Sequence, residues 1–206
     1  MTYKKNIEII SLQGKEILPY LRELARLRMV VFKEWPYLYD GSYDGEEKYL
    51  QIYAETQNAL FILAIEGGTV IGAVTGIPVS ESMEEVQEVF LKKNLPMNKV
   101  YYLGEIMLLK EFRNKGTGKK MYLAFEKFLK ELKKFEKVVL CEIFRDKSDK
   151  RMPTEYKSLT TFWESLGYKR LPNLEASFSY KEMGLSKESS HAMHFHEKNL
   201  ALEEIG

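Results

Sequence analysis

The stretch Val100–Lys120, VYYLGEIMLLKEFRNKGTGKK, decides the fold because a strand, a glycine loop and a helix follow each other in it. Its first part is apolar except for one glycine and one acid, Glu105, which predicts a strand buried on both faces. The segment 113–118 carries two glycines, and apolar residues at helical spacing predict a helix from about 117 to 135. The first N–H groups of a helix have no intrahelical acceptor, so such a loop directs them toward an anion. The stretch therefore predicts a phosphate-binding turn beside a central strand.

Helices and strands alternate on both sides of this stretch in a mixed order. Apolar stripes predict helices over Lys15–Phe32 and Asp44–Thr56, and Gly67-Gly68 predicts a tight hairpin between strands at 60–65 and 69–79. Gly72 lies inside the second hairpin strand and indicates a bulge or a close backbone approach. Further elements are predicted as strand 6–12, helix 84–93, strand 137–144, helix 158–166, and strands 168–171, 176–181 and 189–200.

This order predicts an α/β (α+β) fold with a mixed, mostly antiparallel central sheet flanked by helices. The chain has 206 residues, which suits a single domain spanning 1–206. The predicted terminal strands would allow a homodimer, because an edge strand can pair with another chain.

Charge and cysteine content narrow the classes of function. The net charge is only +1, so we expect neither nucleic acid nor a membrane as a partner. A single cysteine, Cys141, and the lack of an apolar leader lead us to expect a cytoplasmic protein. His191, His194 and His196 have no accompanying metal motif, so no metal is expected.

Three phosphate-loop patterns can be compared with the segment after the central strand. The nucleotide-triphosphatase loop fails because Arg113 stands at its first glycine and Lys120 at its Ser/Thr. The dinucleotide fingerprint fails because Met121 replaces its third glycine. The third pattern is an Arg or Gln, two residues, a Gly, one residue, and a Gly or Ala. Arg113, Gly116 and Gly118 fill all of its fixed places.

This third pattern resembles the acetyl-CoA loop of the GNAT N-acetyltransferase superfamily, and other segments share the resemblance. Residues 106–113 are similar to the family's fourth strand as it enters the loop, and FWESLGY at 162–168 is similar to a late family segment. PYLYDG at 36–41 and GEIMLL at 104–109 are similar to an uncharacterised bacterial subgroup. The resemblance covers roughly residues 16–200.

The resemblance implies acetyl-CoA as the acetyl donor and places it on the loop and on the strand before it. The N–H groups of residues 114–119 would bind the pyrophosphate, and the strand backbone at 107–109 would pair with pantetheine near 139–141. The expected donor-binding residues are Met107, Leu108, Leu109, Arg113, Asn114, Lys115, Gly116, Thr117, Gly118 and Lys119.

The resemblance also implies direct transfer of the acetyl group to an amine, with an acid of the fourth strand as general base. Glu105 is the acid inside this strand, and desolvation raises the pKa of a carboxyl group toward a useful range. The alternative is that Glu105 pairs with a basic core neighbour or faces the cleft rim. Trp163 stands where the family often has its tyrosine acid, so Tyr156 is the candidate substitute. A non-catalytic acyl-CoA-binding or sensor protein is the alternative function.

The loop 35–45 holds four aromatic residues and two Asp, which is unusual for a loop. Rings beside carboxylates suit a cationic group. We therefore expect Tyr37, Tyr39 and Asp40 to bind the acceptor, a small-molecule or protein amine. The alternative is that these rings fasten the loop to the core.

Overall fold

The computed structural model describes residues 6–146 and 148–200. The strands in this part of the chain are β1 (Ile7–Gln13), β2 (Leu60–Glu66), β3 (Thr69–Pro78), β4 (Val100–Leu108), β5 (Lys137–Ile143), β6 (Lys169–Lys181) and β7 (Glu188–Asn199). The α-helices are α1 (Leu21–Phe32), α2 (Tyr43–Glu55), α3 (Glu84–Lys92), α4 (Thr117–Leu132) and α5 (Thr160–Ser165). Short 3-10 helices span Gly14–Tyr20, Val79–Glu81 and Lys110–Phe112.

The seven strands form one sheet in the order β1-β2-β3-β4-β5-β7-β6. The pairs β1–β2, β2–β3, β5–β7 and β6–β7 are antiparallel, whereas β4 and β5 are parallel. This confirms the predicted fold class, a mixed and mostly antiparallel sheet with helices on its faces. None of the helices in the described ranges combines the length and the apolar character needed to cross a bilayer.

The chain divides into two compact units. The first lies within residues 1–31, 42–77 and 103–134 and contains the glycine loop. The second lies within residues 32–41, 78–102 and 135–206 and contains residues 35–41 of the aromatic loop, the segment 35–45. The prediction of a single domain stays a prediction.

Burial along β4 differs from the expectation. Residues 100–103 and Met107 are buried, as predicted for a strand covered on both faces. Residues 104–106 are only partly buried, so the prediction is wrong for the middle of the strand. The ladder from β4 to β5 comprises three pairs and ends at Tyr102–Val139. The segment that contains Glu105 therefore lies beyond the end of that ladder.

Two predicted elements have different forms in the structure. The helix expected over Lys15–Phe32 begins as a 3-10 helix that contains Pro19, and the α-helix starts only at Leu21. Proline has no N–H to donate, so it is poorly tolerated inside an α-helix. The two strands predicted at 168–171 and 176–181 form one strand, β6, with an irregular register between Arg170 and Glu175. The other predicted elements are present within a few residues of their expected ends.

Gly72 confirms the expected close approach between strands. A Cβ there would lie 2.8 Å from Leu108 Cδ1 and 2.9 Å from the Met107 carbonyl oxygen. Gly72→Ala is therefore expected to lower the free energy of unfolding by about 1–3 kcal/mol, because the backbone of β4 must shift. Urea denaturation measures this change. Gly118→Ala is the control, since a Cβ at Gly118 meets nothing within 4 Å. Equal stability of the two variants would contradict the close approach.

Candidate active site

The turn between β4 and α4 is held by its own side chains. Arg113 Nε donates to the Leu108 carbonyl oxygen at 2.8 Å, and Lys115 Nζ donates to the Glu111 carbonyl oxygen at 2.7 Å. Asn114 and Gly116 have positive φ angles of 60° and 81°. The turn can therefore reverse the chain within a few residues and deliver it directly into α4.

The start of α4 has the geometry of an anion site. The Lys120 N–H closes the first turn on the Gly116 carbonyl oxygen at 3.0 Å, and N–H groups earlier in a helix lack such an acceptor. A Cβ built at Gly116 or Gly118 meets nothing within 4 Å, so the backbone here is open to approach. The first turn carries no acid, while Lys115 and Lys119 add positive charge. A phosphate group would find both N–H donors and a favourable field.

Part of the backbone at the end of β4 is already hydrogen-bonded to β3. The Leu109 N–H donates to the Ile71 carbonyl oxygen at 3.0 Å, so this peptide group faces β3. Successive peptide groups of a strand point to opposite edges. Of the three residues expected to pair with pantetheine, Leu108 thus presents its N–H away from β3.

Glu105 is one of three charged residues in a buried cluster, the Arg28 cluster of Arg28, Glu46 and Glu105. The Arg28 guanidinium pairs with Glu46 through Nε and with Glu105 through Nη1. The three side chains are 9%, 1% and 9% exposed. The cluster holds two carboxylates for one guanidinium. Glu46 Oε1 and Glu105 Oε2 have no hydrogen-bond partner among the residues that the structure describes.

The Arg28 guanidinium is further held by aromatic neighbours. Its Cζ lies 3.9 Å from the centre of the Tyr49 ring, and the Tyr49 and Tyr53 hydroxyls are 3.1 Å apart. Burial alone would lower the pKa of Arg28, but Tyr49 and Glu46 outweigh it and the pKa is raised. Arg28 therefore stays charged at any physiological pH.

The structure thus shows the pairing with a basic neighbour that was one expectation for Glu105. A catalytic role for Glu105 stays a prediction. Arg28 and Glu46 were not among the residues predicted from the sequence. A signal existed for Arg28, since it occupies the apolar stripe of α1 together with Leu24 and Leu27, where a charge needs a partner.

Removal of Arg28 tests the cluster. Arg28→Met leaves two buried carboxylates without their cation and is expected to cost about 3–5 kcal/mol of unfolding free energy. Denaturation at neutral pH measures it, with the exposed Arg22→Met on the same helix as the control. A loss no larger than that of Arg22→Met would show that the cluster does not form.

The aromatic loop is fixed within the second unit by Arg145. This residue donates to the carbonyl oxygens of Pro36 at 2.7 Å and Tyr37 at 3.1 Å, and it pairs with Glu182 at 2.5 Å. The Tyr180 hydroxyl also donates to the Tyr37 carbonyl oxygen, at 3.2 Å. The loop therefore has a defined shape set by backbone acceptors.

The side chains expected to bind the acceptor lie in this fixed loop. Asp40 pairs with Lys181 at 2.7 Å, and Tyr39 packs edge-on against Tyr180 at 5.6 Å between ring centres. Tyr37 packs edge-on against Phe32 at 4.8 Å. These contacts agree with the expectation that the rings fasten the loop. Acceptor binding by Tyr37, Tyr39 and Asp40 stays a prediction.

Tyr156 also lies in the second unit. Its partly buried ring stands edge-on to Trp35 at 6.1 Å between centres. Burial, and then the charge of Glu142, raise the pKa of the Tyr156 phenol. Trp163 is 4% exposed and packs edge-on against Tyr168 at 5.6 Å, which is a core position. The structure thus places Tyr156 with the aromatic loop, and Glu105 with the glycine loop in the first unit.

Cys141 and the three histidines have ordinary partners. Cys141 Sγ lies 2.9 Å from the Tyr102 hydroxyl, and burial raises the pKa of its thiol to about 12 although Tyr102 partly opposes this. The thiol is therefore protonated and a poor nucleophile. The histidines contact carboxylates, His191 with Glu182, His194 with Glu175 and His196 with Glu142. Over 6–146 and 148–200 there is no group of three or more potential metal ligands.

A family model identifies the family of the chain. The acetyltransferase (GNAT) family matches residues 24–151, well over half of the chain. No curated protein matches the sequence.

Several solved structures share the fold across nearly the whole chain. A PaiA N-acetyltransferase from Thermoplasma acidophilum, in complex with coenzyme A, is 18% identical with a TM-score of 0.56, covering 94% of this chain and 99% of that one. An N-acetyltransferase from Staphylococcus aureus Mu50 is 11% identical with a TM-score of 0.58, covering 95% and 99%. The loading GNATL domain of CurA from Lyngbya majuscula is 13% identical with a TM-score of 0.61, covering 95% and 98%.

Proposed function

The chain belongs to the acetyltransferase (GNAT) family, and from this premise we propose that it transfers an acetyl group from acetyl-CoA directly to the nitrogen of an amine. The observation that carries the proposal is the open, acid-free start of α4 behind the turn at Gly116. The coenzyme A bound to the related Thermoplasma acidophilum structure supports the choice of donor.

In this proposal the glycine loop binds the donor. The N–H groups of residues 114–119 bind the pyrophosphate, and Lys115 and Lys119 add charge. Arg113 braces the turn through the Leu108 carbonyl oxygen. The Leu108 N–H points away from β3 and donates to an amide carbonyl oxygen of pantetheine, which lies along β4 like an added strand.

Glu105 is the proposed general base, and Arg28 and Glu46 are proposed as positioning residues. Acetyl transfer needs a neutral amine, so a base must accept a proton. One Arg28 guanidinium pairs with both Glu46 and Glu105, so these contacts orient the Glu105 carboxylate.

Further roles are proposed for residues of the second unit. Tyr156 is the proposed acid for the leaving thiolate: its phenol is protonated at neutral pH, and burial makes it a weaker acid than a free tyrosine. Tyr37, Tyr39 and Asp40 are proposed to contact the acceptor. We also propose that both units belong to one acetyltransferase domain, that the protein acts in the cytoplasm, and that it is able to form a homodimer.

A substrate screen tests the function. The protein is titrated with acetyl-CoA by calorimetry and then assayed for release of free CoA thiol with small amines, polyamines and lysine peptides. Binding of acetyl-CoA together with amine-dependent thiol release is the expected result. Binding without release from any amine would favour the acyl-CoA sensor instead. Stabilisation by ATP and magnesium but not by CoA would reject the loop assignment.

A further inference from the structure

Glu142, at the end of β5, is held in one orientation by neutral groups. The Ser158 hydroxyl donates to Oε1 at 2.9 Å and the Thr160 hydroxyl donates to Oε2 at 2.8 Å. His196 Nε2 lies 3.5 Å from Oε2. The Glu142 side chain is 16% exposed, so it is largely buried yet still reachable. The two hydroxyl hydrogen bonds orient the carboxylate, and His196 lies next to it.

The charge of Glu142 is not neutralised by these partners. Burial lowers the pKa of His196 more than the Glu142 carboxylate raises it, so the imidazole is uncharged at neutral pH. No Lys or Arg in residues 6–146 and 148–200 lies within ion-pair distance of Glu142. A largely buried carboxylate without a cation is costly, and a cationic ligand would relieve that cost.

Two other carboxylates in the same unit are paired with cations. Glu182 is bound by Arg145 and by Arg151, each at 2.5 Å, and Asp40 is bound by Lys181 at 2.7 Å. Glu142 differs from both, because its partners are hydroxyl groups and an uncharged imidazole.

Two tyrosines belong to the segments around this carboxylate: Tyr156 precedes Ser158 by two residues, and the Tyr37 carbonyl oxygen is bound by Arg145, three residues after Glu142. Burial is the main cause of the raised pKa of Tyr37, with Cys141, Tyr180 and Glu142 adding to it. The pKa of Tyr156 is likewise raised by burial and by Glu142. Both phenols stay neutral, and aromatic rings attract a cation through their faces. A carboxylate without a cationic partner suits the recognition of an ammonium group.

We propose that Glu142, oriented by Ser158 and Thr160, binds the acceptor amine as its ammonium cation. This inference rests on the proposed function, since it names the chemical class of the acceptor. It assigns specificity to Glu142 and leaves the role of proton acceptor to Glu105. Neutral acceptors such as alcohols are excluded, because they leave the carboxylate uncompensated.

Direct binding tests this proposal without turnover. The probes are n-butylamine, phenethylamine and spermidine, with n-butanol and phenethyl alcohol as neutral analogues. Affinities are measured by calorimetry and ligand-observed NMR at pH 7, on the wild-type chain and on Glu142→Gln. Glutamine keeps an acceptor for one hydroxyl but removes the charge. Glu136→Gln is the matched control, because Glu136 just precedes β5 and is 54% exposed.

The expected result is that at least one cation binds the wild type and its neutral analogue does not. Glu142→Gln should lower the affinity for that cation roughly 10- to 100-fold and leave the affinity for acetyl-CoA unchanged. Glu142→Asp, which keeps the charge, should retain most of the binding and covers the case in which Glu142→Gln unfolds. The proposal is overturned if no probe cation binds, if the alcohols bind equally well, or if Glu142→Gln matches Glu136→Gln. If the wild type binds a probe cation but does not bind acetyl-CoA, only the proposed function is contradicted.

Discussion

Gly116→Trp is expected to abolish measurable CoA binding while the chain stays folded. Gly116 has a φ of 81°, and nothing lies within 4 Å of the Cβ that the substitution adds. The indole would therefore project into the open space in front of the α4 N–H groups, where the proposed pyrophosphate binds. We expect affinity for acetyl-CoA to fall by at least about 100-fold, since several charge-assisted hydrogen bonds are lost together. Calorimetric titration measures this loss.

Gly184→Trp is the matched control for this experiment. Gly184 has a φ of 82° and equally open surroundings, and it lies between β6 and β7 in the second unit. Both variants carry the same backbone strain, about 1–2 kcal/mol for a side chain in the left-handed region. Their thermal stabilities should therefore be similar, and only Gly116→Trp should lose CoA. Retained affinity in a folded Gly116→Trp would show that the loop is not the donor site.

Glu105→Gln is expected to lower kcat by roughly 10²- to 10⁴-fold, the range for loss of a general base. The amide cannot take the proton of the amine, although it can still accept a hydrogen bond from Arg28. Activity of the wild type should fall at low pH as the carboxylate is protonated, and this acidic limb should be missing in the variant. Acetyl-CoA affinity should change less than turnover, because the glycine loop is untouched. The measurement is a pH–rate profile with the best amine of the screen.

The matched control is Glu111→Gln, an exposed acid in the 3-10 helix just before the glycine loop. It removes one negative charge from the same unit without touching the Arg28 cluster. Turnover of Glu111→Gln should stay within about twofold of the wild type, as expected for an exposed residue away from the chemistry. Unchanged turnover of Glu105→Gln at every pH would remove Glu105 from the mechanism.

Local patterns were sufficient to predict the frame of the donor site. The apolar strand β4, the two glycines of its loop and the stripe of α4 are short-range signals, and each is present where expected. The hairpin at Gly67-Gly68 is likewise encoded by adjacent residues that tolerate positive φ. The family match supports the same assignment.

Long-range charge pairing was not predictable from such patterns. The three members of the Arg28 cluster are far apart in the chain and lie on α1, α2 and β4. Which acid meets Arg28 depends on how these elements pack. The contacts of Arg145 were also not predictable. Its guanidinium donates to the backbone oxygens of Pro36 and Tyr37, and every residue type has such an oxygen, so the sequence does not indicate the partner. Ion pairs and main-chain contacts across the fold need the structure itself.

The most direct test of the central claim is to follow the acetyl group. The purified chain is incubated with acetyl-CoA carrying a ¹³C-labelled acetyl group and with the best amine of the screen, and the products are analysed by mass spectrometry. Direct acetyl transfer predicts labelled N-acetylamine and free CoA in equal amounts from the wild type, and neither product from the Gly116→Trp variant. Free CoA without labelled amide, or no consumption of acetyl-CoA by the wild type with any amine, would contradict it.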